Sequence, residues 1–147
     1  MNARDALLGD RSPRIRAGVL ALTLPILASV AFLLEYDLVL GFWPLYLALG
    51  IALYAGLARA GVLAGLGAVF LAILWRFVVP PLVGYLRWSM DTRYTPPRLL
   101  AYKLDPSGEL QEGLTHGPLY ALAGALVLGG LAYLIGVGVR KVTERTS

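Results

Sequence analysis

Four long stretches free of charged residues organise the chain, separated by short polar turns and one longer polar segment. They run over positions 17–34, 38–58, 60–75 and 118–139. A helix rising 1.5 Å per residue needs about 20 residues to cross a hydrocarbon layer of about 30 Å. The second and fourth stretches meet that length and the first is just adequate. The third reaches it only by carrying Arg76 inward and continuing through Phe77-Val78-Val79. None alternates with period two, and Ala, Leu and Gly outnumber β-branched residues, so a membrane barrel is excluded in favour of helices. The pattern predicts one all-α domain over residues 1–147, a multi-pass transmembrane bundle of four helices. These lie over about residues 17–35, 38–58, 60–79 and 118–139, with a mostly irregular extracytoplasmic segment over about 87–117.

The polar flanks orient the bundle. Arg4, Arg11, Arg14 and Arg16 precede the first stretch, Arg59 divides the second from the third, and Arg140, Lys141 and Arg145 follow the fourth. Basic residues are retained on the cytoplasmic side. Both termini and Arg59 are therefore expected on the cytoplasmic side of the cell membrane, and the Glu35-Tyr36-Asp37 turn outside. The 87–117 segment carries four basic and four acidic residues and does not oppose this orientation. Trp43, Tyr46, Trp75, Tyr85, Trp88 and Tyr120 fall near the outer boundary, as an interfacial aromatic belt requires. The first stretch also has the form of a cleaved signal peptide, with a small-residue site at Ser29-Val30-Ala31. Its apolar run continues through Phe32-Leu33-Leu34 to a charged turn, as an anchor does.

Composition agrees with the pattern. Hydrophobic residues make up 58% and charged residues 15%, against about 45–50% and about 25% in soluble domains. Cysteine is absent, which removes disulfides, thiolate nucleophiles and cysteine-held metals. The net charge of +4 sits at helix ends rather than on a basic face with interleaved aromatics, so no nucleic-acid partner is expected.

Small residues recur every four positions: Ala48, Ala52 and Gly56; Gly61 and Gly65 beside Ala60, Ala64 and Ala68; and Ala121, Ala125 and Gly129. Lipid supplies no hydrophobic drive between helices, so close backbone approach at such residues holds them together. Gly56, Gly61, Gly65, Ala125 and Gly129 are the expected packing positions, either within the chain or between copies.

Arg76 is the sharpest candidate for chemistry, because a charge inside an apolar helix is costly. It lies about 25 Å along the axis from Arg59, at the expected level of Glu35 and Asp37. An ion pair with one of them is the structural expectation, and an anion or substrate site the functional one. Pro80-Pro81 follows, and tandem prolines are expected to end or kink the third helix near Val79. A broken helix beside a charge is a feature of transporter sites.

Thr115 is the candidate N-cap of the fourth helix, with Pro118 near its first position. Asp105-Pro106-Ser107-Gly108 reads as a turn, and 98–104 as a short interfacial element. Glu109 and Glu112 read as solvated, and His116 as a turn residue without metal partners. Arg16–Ala21 recurs as Arg59–Ala64 (RAGVLA), which a duplicated hairpin would produce. No Ser-His-Asp order, phosphate loop or HExxH is present. The expected role is non-enzymatic and without cofactor or metal. It is a structural or accessory subunit in the lipid bilayer that contacts a membrane-protein partner or a second copy of itself. The alternative is a small transporter or channel component with its site near Arg76.

Overall fold

The computed structural model describes residues 2–98 and 102–146, and every regular element among them is helical. Helix α1 (Ala3–Leu8) is short; α2 (Arg11–Leu33), α3 (Trp43–Leu57) and α4 (Val62–Arg87) follow. Helix α5 runs continuously over Pro106–Thr146. Two 3₁₀ turns, Asp37–Leu40 and Thr92–Tyr94, sit in the connections. Three helices, α2, α4 and α5, are long and apolar enough to cross a membrane; α3 is apolar but shorter.

Contacts between distant residues define two ends. At one, the Asp10 N–H donates to the Arg59 carbonyl at 2.7 Å, and Arg59 pairs with Glu144 at 2.8 Å. At the other, Arg93 pairs with Asp37 at 2.9 Å. The chain thus runs up α2, down α3, up α4 and down α5.

Three reversals use the same device. Glu35, Arg59 and Trp88 adopt left-handed φ values of 66°, 62° and 48°. After α2, the Tyr36 N–H reaches the Ala31 carbonyl and the Glu35 N–H reaches Phe32, which caps the last helical carbonyls. Glycine is the usual residue at that position because a Cβ costs about 1 kcal/mol there. Glu35→Gly is therefore expected to raise stability by about that amount, read as a higher unfolding midpoint in detergent. An unchanged or lowered midpoint would mean that the Glu35 side chain does more than terminate α2.

Helix α4 does not end at Val79. It passes through Pro80 and Pro81, both fully buried, and stops at Arg87. Proline removes the bond from its own nitrogen to the carbonyl four residues back, so Pro81 frees the Phe77 carbonyl. That oxygen lies so close to Gly113 of α5 that a Cβ there would collide with it. A neighbouring helix thus covers the freed acceptor, the condition under which proline is tolerated inside such helices. Pro25 likewise sits within an uninterrupted α2.

The last helix begins at Pro106, well before the expected start near Pro118. Asp105, not Thr115, is its N-cap, accepting from the Gly108 N–H at 2.8 Å, with Pro106 in the first turn. Thr115 instead donates to the Gln111 carbonyl, and Pro118 and His116 lie inside the helix. The outer segment is therefore half helical rather than mostly irregular. Leu99 and Leu100, expected in an interfacial element, lie outside the described residues.

The interior is built from small residues. On α5 the buried positions are Pro106, Glu109, Gly113, Gly117, Ala121, Ala125, Gly129 and Gly136. A four-residue spacing drifts by about 40° per step on a 3.6-residue helix. The wider π turn at Ala125–Gly129 absorbs part of that drift and keeps both residues against α4, where Val69 meets Gly129.

Candidate functional site

The polar chemistry collects at the end that carries Asp37 and Arg93. Arg93 works at the terminus of α2: its Nη2 donates to the Phe32 carbonyl at 2.9 Å and its Nε to Asp37 at 3.0 Å. Its guanidinium lies 4.4 Å from the centre of the Phe32 ring. Burial opposes its charge, but the hydrogen bonds to Tyr94 and Asp37 and the charge of Asp37 outweigh that. The arginine is held above its ordinary pKa. Phe32 packs edge-on to Trp75 and Tyr94, at 6.1 and 5.8 Å between ring centres. The Trp75 indole donates to Ser29 at 2.9 Å. The loop after α4 is thereby fastened onto α2.

The expected meeting of Arg76 with Glu35 or Asp37 does not occur. Asp37 is taken by Arg93, and Glu35 is exposed with its backbone committed to the turn. Arg76 donates instead to two carbonyls, Nη1 to Thr95 at 3.0 Å and Nε to Leu40 at 3.4 Å. The turns around residues 37–40 and 92–97 fold down over α4 and bring backbone oxygens to it. Its charge meets no carboxylate among the described residues. Beside it lies an apolar pocket of about 250 Å³, lined by Leu40, Phe42, Leu45, Ile73, Phe77 and Pro97.

A second cluster joins the start of α5 to the stretch of chain before it. Arg98 pairs with Glu109 and, at 3.4 Å, with Glu112, and stacks 4.5 Å from the Tyr102 ring centre. Glu109 also accepts the Leu104 N–H at 2.9 Å and is only 5% exposed. The two glutamates expected in solvent are thus partners of a buried arginine. Their spacing on one face of the Asp105-capped helix, and the four-residue small stripe continuing back through Gly117 to Gly113, were the signals that could have placed them there. The Tyr102 hydroxyl donates to Glu112, and that bond raises the phenol above its ordinary pKa.

The packing glycines fall into two kinds. Gly56 sits against the Tyr133 carbonyl and Gly136 of α5, Gly65 against Ala52 and Ala55 of α3, and Gly129 against Val69. Ala125 is buried in the same α3–α4–α5 cluster. Gly61 is different: it precedes α4 at φ 94° and meets the backbone of Leu7 and Leu8, so α1 docks there. At the same end Arg140 donates to the Gly56 carbonyl at 2.7 Å, capping α3.

No group of three metal-capable side chains occurs among the described residues. Compared with known protein families, with curated proteins and with solved structures, the chain matches none.

Proposed function

We propose that this is a multi-pass protein of the cell membrane, crossing it four times with both termini in the cytoplasm, and that it serves as a non-enzymatic structural or accessory subunit. The observation that carries this reading is the reversed distribution of side chains. Ala and Gly make up most of the interior, whereas Leu22, Ile26, Leu27 and Val30 on α2 and Leu126, Leu131, Leu134 and Ile135 on α5 point outward, each more than half exposed. Lipid is the solvent that such a surface fits.

Helix α3, apolar throughout its 15 residues, spans about 22 Å, short of the hydrocarbon layer, and a crossing there draws on Leu38, Val39, Leu40 and Phe42 before it. At about 60 Å, α5 is twice as long as the hydrocarbon layer is thick. Its Asp105-capped start projects outside and its Arg140–Arg145 end inside. The 5% exposed Glu109 lies on the outer projection, and no charged residue is fully buried in the apolar stretches among the described residues. A transporter reading draws on a break at Pro80-Pro81, and α4 continues there, so the accessory role is the better supported.

Reporter fusions at the N-terminus, between residues 91 and 98, and at the C-terminus should read inside, outside, inside. A cytoplasmic signal from the middle fusion would remove the four-crossing topology. The accessory role predicts a stoichiometric partner on purification in mild detergent; a chain that purifies alone from its native membrane would oppose it.

A further inference from the structure

The geometry points to a binding site for one anionic phospholipid in the pocket beside Arg76, with the headgroup phosphate on the guanidinium and the acyl chain along the apolar walls. This rests on the membrane reading above. Three observations lead to it. First, Arg76 has only carbonyls as partners: two of its N–H groups are used, by Leu40 and Thr95, and no carboxylate pairs with it among the described residues. A guanidinium has five N–H donors in a planar fork suited to phosphate, so donors remain for a ligand.

Second, the pocket Arg76 lines is otherwise almost wholly apolar, formed by Val39, Leu40, Phe42, Leu45, Ile73 and Phe77. One cationic wall and many hydrocarbon walls match an anionic head joined to a chain. A small soluble anion would leave those walls wet, and a plain hydrocarbon would leave the charge unmet. Third, its depth is right. Exposed Phe42, the N-cap of α3, lines it, and exposed Trp43 and Tyr46 follow on the first turn of that helix. Aromatic side chains of this kind mark the level where headgroups meet acyl chains.

The two carbonyl bonds also give the site its orientation. They hold the guanidinium by Nε and Nη1 against the folded-down turns, so a phosphate is met by a fixed fork rather than by a mobile side chain, which lowers the ordering cost of binding.

The test uses the full chain purified in a neutral detergent and titrated with short-chain phosphatidylglycerol, with bound lipid counted by native mass spectrometry. Wild type should hold one phosphatidylglycerol per chain in preference to phosphatidylcholine. Arg76→Gln should bind it at least tenfold more weakly. Leu45→Trp leaves Arg76 itself in place but puts a bulkier side chain at a position that lines the pocket. It should weaken binding similarly, and it decides the matter if Arg76→Gln fails to fold. Equal binding by wild type and variants would overturn the site, as would equal affinity for phosphatidylcholine. Displacement by millimolar glycerol phosphate or inorganic phosphate would assign the pocket to a soluble anion instead. A chain that needs no detergent to stay in solution would instead defeat the membrane reading itself.

Discussion

Replacing Glu109 by Ala should loosen the outer end of the protein by about 3 kcal/mol, the lower part of the range for breaking a buried ion pair. Glu109 is the acceptor for the Arg98 guanidinium and for the Leu104 N–H. Its loss leaves a buried arginine and an amide with fewer partners. Glu112 restrains the cost, because it already lies 3.4 Å from the same Nη2 and can carry part of the charge. Glu109→Gln keeps an acceptor for Leu104 but not the charge, and should fall between wild type and Glu109→Ala. Arg98→Met with Glu109→Leu should cost less than the sum of the single changes, since a buried pair can be exchanged for apolar groups at little net cost. Because this cluster sits at the start of α5, away from α3, the readout is local. Amide hydrogen exchange in the first turns of α5 should speed up by about 100-fold, whereas exchange in α3 should not move. Unchanged exchange at Leu104 and Glu109 would show that the cluster does not hold the segment down.

That cluster is also where the sequence is least legible. The apolar stretches and the turns at Glu35–Asp37 and Arg59 are evident because long apolar helices leave an unbroken signal that charged turns interrupt. The ends of α4 and α5 are hidden for a different reason. Prolines at 80, 81 and 118 argue locally for a terminus, and at Pro81 the force that overrides this is tertiary: another helix covers the Phe77 carbonyl that the proline leaves free. Likewise Thr115 beside Gly-Pro has the chemistry of a cap in isolation. The competing Asp105-Pro106 start wins because Glu109, Gly113 and Gly117 behind it have partners to bury against. Arg76 stands out in the sequence as a charge in a costly place, but its partners are backbone oxygens from two loops, and backbone contacts leave no trace in residue identity. For Glu35 the missing element is conformational: its left-handed φ makes it the terminus of a helix, a role that its charge obscures.

The closeness of α4 and α5 gives the other large expected effect. A Cβ at Gly113 would run into the Phe77 carbonyl, with Pro81 also 3.5 Å away. In most helices Gly→Ala gains up to about 1 kcal/mol, because alanine has the higher helix propensity. Here the obstacle is backbone, which cannot move aside like the end of a side chain. Gly113→Ala should therefore reverse the sign, and Gly113→Val should cost about 3 kcal/mol, the upper part of the overpacking range. Separating the helices would also uncover the oxygen that Pro81 leaves without a donor, adding to the cost in a dry environment. Gly130 and Gly138 supply the control, since a Cβ on either meets nothing within 4 Å. Alanine at those sites should be neutral or mildly stabilising, as measured by thermal unfolding midpoints in the same detergent. Gly56 and Gly136 should behave like Gly113, because each faces a backbone carbonyl of the opposing helix. If alanine at Gly113 raised the midpoint as it does at Gly130, the two helices would not approach at that point, and the account of how α4 continues through two prolines would fail with it.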